Sequence, residues 1–458
     1  MKRWKTVLPL LLLAALLLTC SGCGKAEGEQ PVSITIWHVY GAQTDSPLND
    51  LIDEFNGTVG KEEGIRVEVT MVSNNKNIYE DILAAANQDP GAPELPDIFV
   101  AYPKTVLNLP DENILVDYTD YFTQEELDTF VPAFLEDGMV NGRLVVLPVA
   151  KSTELLYVNK TAFDRFSAAT GAQLSDLETW DGLFETACDY AAWTDSQTPD
   201  VAGDSTALFV HDFHFNYFQV GVESLGESFF DGEKLAFGPM FQRVWEPYAR
   251  AAISGGLWLQ GGYATEPLRT GESIVSVASS ASVLYFSDQV TYANNTSENV
   301  ELLVQPCPVF REGSRTVMQR GAGMCTVRST PDREQAAVTF LKWLTEPACN
   351  ARFAVSAGYM PTTQEAFDVY LPQEIQSLTD PKYTALYDAY AKTQPAYEFY
   401  VPPQMESYQD LEASFEKNIR LCMLDAREAY LQAGGNDQAL LEQLVQESLI
   451  QFQQIMSR

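Results

Sequence analysis

Three histidines, His38, His211 and His214, are the only imidazoles in this 458-residue chain. Two of them bracket an acid in His211-Asp212-Phe213-His214, a stretch that could lend ligands to a metal. Two imidazoles and one carboxylate fall short of a closed coordination sphere, so no metal and no cofactor is expected. No Gly-x-Ser-x-Gly elbow is present for a serine hydrolase. Ser414-Phe-Glu-Lys417 has the Ser-x-x-Lys form but stands without its partner motifs. Paired carboxylates for acid–base work stay open in a chain with 63 acidic residues. Five cysteines lie beyond residue 24 (Cys188, Cys307, Cys325, Cys349 and Cys422), and none forms a Cys-x-x-Cys pair for zinc or dithiol chemistry. Cys307 and Cys325 flank a turn and are the one pair worth testing for a bridge. What the chain does supply is aromatic surface with polar tips: Trp37, Tyr40 and Tyr102, the aromatic stretch with His211, Phe213 and Tyr217, and further on Tyr359 and Tyr400. Such groups stack and hydrogen-bond a ligand without breaking its bonds.

The elements that position them follow from periodicity. Residues 32–37 and 65–72 alternate as strands, and 96–100 form a short buried one. Between them, 45–55 and 78–87 carry apolar residues at helical spacing, with Leu48, Leu51, Ile52 and Phe55 on one face of the first. This strand–helix–strand–helix–strand order predicts an α/β fold with right-handed crossovers and a mainly parallel sheet. Ligands of such sheets sit beyond the carboxyl ends of the strands. That rule selects 37–43, 73–76 and 101–104, and so Trp37, Tyr40 and Tyr102; Trp37 fits either the cleft or the core. Asp97 reads equally as a turn carboxylate. Further strands are expected at 142–148, 155–160, 274–278 and 300–305, with a glycine-interrupted strand at 318–327. Helices are expected at 180–192, 241–255 and 331–345, and the tail beyond 379 is mostly helical.

The amino terminus predicts a location. Lys2, Arg3 and Lys5 precede an apolar run over 7–18, which is too short to span a bilayer. Thr19-Cys20-Ser21-Gly22-Cys23-Gly24 follows and resembles a bacterial lipobox. The expected division is a lipoprotein signal peptide over 1–22 and a polar tether over 23–30, with Cys23 as the acylated first residue and Cys20 as its rival. The body would then sit on the extracytoplasmic face of the cell membrane, held by lipid. A formal charge of −34 argues against nucleic acid, whose phosphates need basic patches. A hydrophobic content of 46% over this length is enough for two or three packed domains.

Residues 142–160, Gly-Arg-Leu-Val-Val-Leu-Pro-Val-Ala-Lys-Ser-Thr-Glu-Leu-Leu-Tyr-Val-Asn-Lys, closely resemble a block of the family 1 extracellular solute-binding proteins, the substrate receptors of sugar-type ABC importers. Ile34-Thr-Ile-Trp-His38, Arg320-Gly-Ala-Gly323, the helix at 336–347 and Ala357-Gly-Tyr-Met-Pro361 resemble further blocks in the same order. The resemblance implies a two-lobed periplasmic-binding-protein-like fold of type II, with a mixed sheet and flanking helices in each lobe. It implies one lobe from 31–151 plus 321–357, a second from 152–320 plus 358–458, and crossings at 151–154, 320–323 and 358–361. It also implies a binder rather than an enzyme: a monomer that captures a carbohydrate in the interlobe cleft and hands it to permease subunits. Glycerol 3-phosphate is the alternative ligand, and a lipid-anchored exported hydrolase the competing class. Stretch 210–217 carries Phe and His where the resemblance to glycerol-phosphate receptors implies a tryptophan pair, and stretch 398–404 lacks their arginine, which favours a neutral sugar. On this plan the cleft would be lined by Trp37, Tyr40, Tyr102, Ser152, Glu154, His211, Phe213, Tyr217, Ser280, Gly321, Tyr359 and Tyr400.

Overall fold

A computed structural model describes residues 30–41, 45–201 and 203–457. The expected signal peptide, Cys23 and tether residues 23–29 lie outside the described residues. In chain order, the elements that matter for the site are β1 (Val32–His38), α1 (Pro47–Gly57), β2 (Ile65–Val72), α2 (Asn75–Ala86), β3 (Ile98–Ala101) and α3 (Pro103–Leu107). They continue with β4 (Ser152–Asn159), β5 (Phe209–His211), α4 (His214–Ser224), β6 (Val275–Ser279), β7 (Leu302–Pro306), β8 (Thr316–Arg320) and β9 (Gly323–Thr326). The last are α5 (Pro331–Leu344), α6 (Pro347–Ala357), β10 (Glu398–Tyr400) and α7 (Tyr408–Gln432).

Two sheets divide these strands. The first has four strands in the order β9-β3-β1-β2; β1 runs parallel to both neighbours and β9 antiparallel to β3. The second has six, in the order β10-β8-β4-β6-β5 with β7 also paired to β4. The alternation in β2, with Ile65 and Val67 buried and Arg66 and Glu68 exposed, suits an edge strand with one face on helices. Helix α1 begins two residues after the expected start because Ser46 caps it, its side chain accepting from the Asn49 N–H, and Pro47 takes the first helical position.

Strand β4 explains the core of the second sheet, because it is buried along its whole length. Leu156 and Val158 enter one apolar cluster with Trp180, Phe184, Phe218 and Trp245. Leu155 and Tyr157 enter the opposite one with Phe286, Leu386 and Tyr390. A separate cluster built on Ile34, Ile36, Phe55, Phe99 and Phe340 closes over the first sheet. Each sheet thus carries its own core, which is the two-lobed α/β architecture expected.

Two sequence expectations are corrected. The strand expected over 142–148 shrinks to Arg143–Leu144, paired in a hairpin with Met139–Val140. Asn141 and Gly142 both have positive φ, 50° and 80°, so they form the tight turn of that hairpin instead of leading a longer strand. The glycine-interrupted strand over 318–327 is two strands in two different sheets, β8 and β9. Gly321 has φ +99° between them, and a Cβ there would lie 2.8 Å from the Lys151 Cα, so only glycine fits this crossing.

The three stretches that pass between the sheets are tied together at Lys151. Its N–H and carbonyl pair with Met360 across bonds of 3.0 and 2.6 Å, and its ammonium donates to the Gly321 carbonyl at 3.2 Å and to Asp137. Cys307 and Cys325 are both free thiols, one in each lobe's core, so the pair set aside for testing is not bridged.

Candidate functional site

The loops at the strand ends meet around Arg320, the last residue of β8. Its Nη1 lies 3.4 Å from Glu154 Oε1 and 3.2 Å from Asp212 Oδ2. Its guanidinium sits over the Phe213 ring, 4.9 Å from the centroid. Register places these groups. Arg320 pairs with Ser152 across the β8–β4 ladder, and Glu154 is two residues further along β4 on the same face. Asp212 and Phe213 form the link from β5 to α4, at the carboxyl end of β5. The Asp212 Oδ1 accepts from the Ala264 N–H at 3.3 Å, and Asn216 Nδ2 on α4 donates to Glu154 Oε1 at 2.6 Å.

Burial works against charge here. It pushes the Glu154 carboxyl up to about 7, against the pull of Arg320 and Asn216. Burial also disfavours the guanidinium charge, but Asp212 and Glu154 outweigh it and hold the Arg320 pKa above its ordinary value. One cation facing two carboxylates leaves the cluster neutral or negative.

Tyrosines ring this cluster from both lobes. Tyr102 follows β3, and its hydroxyl lies near the Gly321 backbone at the crossing. Tyr359 packs edge-on against Tyr40, with ring centroids 5.5 Å apart. From the second lobe come Tyr263 and Tyr285, which are 46% and 49% exposed, unusual for large aromatics. The Tyr285 hydroxyl lies near the Gly41 backbone of the first lobe, and burial raises its pKa. Tyr102, Tyr263 and Tyr359 all lie within electrostatic reach of Arg320. Two buried polar atoms, Tyr40 Oη and Trp258 Nε1, have no hydrogen-bond partner among the described residues. A bound polar ligand or water would satisfy such groups.

Of the residues expected in the cleft, Tyr40, Tyr102, Glu154, Phe213, Gly321 and Tyr359 are brought to this region. Trp37 is not: it is 3% exposed and packed in the first lobe's core. It sits within β1, an inner strand of the first sheet, on a face covered by that lobe's apolar cluster. Tyr217 is likewise core, 2% exposed, wedged against Trp180 and Tyr248 with its hydroxyl donating to the Val244 carbonyl at 2.8 Å. His211 stacks on Trp180 and its Nδ1 accepts from the Phe213 N–H at 3.1 Å; burial drops its pKa to about 3, with Arg320 adding to the effect, so the ring is neutral. Ser280 is sealed against Tyr390, its Oγ 3.2 Å from that hydroxyl. Ser152 is buried as well and receives a bond from Ser279 Oγ at 3.3 Å. Tyr400 accepts from Gln219 Nε2 at 2.9 Å and lines a cavity of roughly 440 Å³ with Glu136, Asp137, Glu398 and Gln404, apart from the Arg320 cluster. Asp97 is a structural carboxylate, clasped by Arg333 at 2.8 and 2.6 Å.

Sequence reasoning did not select Arg320, Asp212, Tyr263 and Tyr285 as cleft residues. Arg320 stood as part of the Gly-rich crossing, and Asp212 as one acid in a metal-like stretch and, with Asp97 and Glu154, as a carboxylate that a polyamine ligand would need. The signal for Tyr285 was there, since it closely follows the strand end at Ser279. Among the described residues, no group of three or more His, Cys, Asp or Glu side chains is arranged to hold a metal ion, and no helix is long and apolar enough to cross a membrane.

Residues 50–385 match the family described as bacterial extracellular solute-binding protein. The arabinooligosaccharide-binding protein of Halalkalibacterium halodurans is 23% identical over 318 residues, or 65% of this chain and 64% of that protein, so the chain spans less than two thirds of that relative's length. UgpB from Mycobacterium tuberculosis, solved with glycerophosphocholine, is 18% identical with a TM-score of 0.65, covering 94% of this chain and 99% of that one. Lmo0181 from Listeria monocytogenes, an ABC substrate-binding protein solved with cycloalternan, is 15% identical with a TM-score of 0.65, covering 93% and 99%. At such identities the likeness is one of fold, and the two solved neighbours hold chemically unlike ligands. A cleft lined from two lobes and a family match over most of the chain lead to one statement: this chain belongs to the bacterial extracellular solute-binding proteins.

Proposed function

We propose that the protein captures a neutral carbohydrate in the cleft, as the binding component of an ABC importer, and delivers it to membrane permease subunits. The observation that carries the reading is the ring of Tyr102, Tyr263, Tyr285 and Tyr359 around an arginine already opposed by two acids. Sugar rings present flat C–H faces and a rim of hydroxyls. Tyrosine matches both, with an apolar face for stacking and a hydroxyl for bonding. A phosphate ligand needs a free cation, and Arg320 is compensated twice. The resemblance to an arabinooligosaccharide-binding protein supports the same class.

In this reading the lobes are 31–151 plus 321–357 and 152–320 plus 358–458. They hinge where Lys151, Gly321 and Met360 are bonded together, and closure sequesters the ligand. Cys23 holds the body to the outer face of the membrane as a monomer, and the protein binds its ligand without chemical change.

Calorimetry and thermal shift with a panel of neutral mono- and oligosaccharides test this. At least one should bind saturably and raise the melting temperature without any product. Tyr285→Ala should weaken that binding by about tenfold, or roughly 1.4 kcal/mol, with the unliganded melting point little changed because the ring is half exposed. Saturable binding of glycerol 3-phosphate with no response to any neutral sugar would overturn the ligand class.

A further inference from the structure

Arg320 has five N–H donors, and the bonds formed by its side chain among the described residues run through Nη1 alone. Its Nε–H and the Nη2 hydrogen beside it point the same way and form a two-pronged fork. In two other arginines of this chain that fork is occupied by a carboxylate. Arg333 uses Nε and Nη2 to clasp both oxygens of Asp97, at 2.8 and 2.6 Å. Arg250 does the same to Glu442, at 3.0 and 2.7 Å. In Arg320 the other edge of the guanidinium is anchored between Glu154 and Asp212, and Phe213 supports its plane from beneath. The side chain is 12% exposed, within the ring of tyrosines that lines the cleft. An arginine fixed on one edge and on one face has only its fork left to offer.

We infer that Arg320 is a specificity-determining residue whose Nε/Nη2 fork donates to two oxygens on adjacent carbons, a vicinal diol of the bound sugar. This rests on the carbohydrate reading above and narrows it. The spacing of the two parallel donors suits a carboxylate or two neighbouring hydroxyls equally well. Charge decides between them. A carboxylate or phosphate ligand would be the third acid around one guanidinium, beside Glu154 and Asp212, in a site where little water screens the repulsion. A diol takes the same two hydrogen bonds with no added charge. The two acids thus have a role apart from folding: they orient the fork and cancel the attraction that would draw an anion to it. A site built to bond a hydroxyl discriminates strongly against a ligand lacking it, because the donor is then left unpaired in a closed cleft.

The experiment uses the full body with the tightest neutral sugar from the panel and its series of mono-deoxy analogues. In the wild type, removal of either of two adjacent hydroxyls is expected to cost tenfold or more in affinity, while other positions cost less. Arg320→Lys keeps the charge that Glu154 and Asp212 need but has no fork. It should bind the parent sugar at least tenfold more weakly and no longer distinguish the two deoxy analogues. Equal losses on deoxygenation in wild type and Arg320→Lys would overturn the inference while leaving the carbohydrate reading intact. If Arg320→Lys does not fold, the wild-type series decides alone, since the absence of any sensitive adjacent pair sinks the diol. A wild type that binds glycerol 3-phosphate or a uronic acid sugar, and no neutral one, would overturn both.

Discussion

Replacing Trp37 by alanine removes a side chain that is 3% exposed and held in the first lobe's core. The expected cost is to stability, of the order of 3–5 kcal/mol, as for other large buried aromatics. Ligand affinity of the fraction that stays folded should be unchanged. Denaturant unfolding of the unliganded variant, with calorimetry on the folded protein, separates the two effects. An affinity loss of more than tenfold in a stably folded Trp37→Ala would return the residue to the cleft. Tyr285 is the reverse case: half exposed, it should affect binding rather than folding. The two aromatics differ in address. Trp37 lies within an inner strand, while Tyr285 lies beyond the end of one.

At the scale of elements, α3 and α7 reach each other from different lobes. Lys104 donates to Glu412 at 2.7 Å and lies over the Tyr408 ring, 4.8 Å from its centroid. The α3 core residue Val106 belongs to the first lobe's cluster, and the α7 residues Phe415 and Ile419 belong to the second's. The pair therefore stabilises the arrangement of the lobes described above and would be lost if they moved apart. Apparent affinity scales with the fraction of closed-competent molecules, so a contact that never touches ligand still contributes to it. Lys104→Ala should weaken ligand binding by about threefold to tenfold, matching a pair worth about 1 kcal/mol. Glu412→Ala should do the same, and the double variant no more than either. Additive losses in that double-mutant cycle would mean that the two helices contribute independently.

For the whole molecule, acid stability is a contest between two sets of buried groups. Burial lowers His38 to about 4, His211 to about 3 and His214 well below the ordinary 6.5. The folded state binds fewer protons there than the unfolded chain, so this contribution is complete above pH 6.5 and is lost as the pH falls toward the folded values. At pH 5 each imidazole has given up about 2 kcal/mol, at 1.36 kcal/mol per unit. Glu154 and Glu416 act oppositely, both raised to about 7 chiefly by burial. Their contribution is complete below about pH 4.5 and is lost as the pH rises through 7. Three imidazoles against two carboxyls leave a net fall. The unliganded melting temperature should drop between pH 6.5 and 5, and it should drop more steeply in Glu416→Gln, which lacks one offsetting group. Scanning calorimetry across that range would expose an error if the variant's slope were the shallower one.

Much of this architecture was legible in one dimension. Periodicity of two marked β1 and β2, periodicity of 3.6 marked α1 and α5, and strand order implied a sheet with a ligand edge. The blocks at 142–160 and 357–361 lie at crossings because a chain that passes between lobes must turn or extend there. What one dimension left open is which face of a strand is covered and which groups from distant segments meet. Trp37 and Tyr102 are both aromatics near a strand end, and only the packing of the first lobe's apolar cluster over the sheet puts the first inside and leaves the second at its margin. Arg320, Glu154 and Asp212 are separated by up to 166 residues, and the charge of each conceals its role until the ladder of β8 on β4 sets them side by side. Local sequence determines the elements because dihedral preference and amphipathic period are local properties. The polarity of the cleft is decided by the tertiary structure, because Coulomb energy and desolvation depend on distance through space and not along the chain.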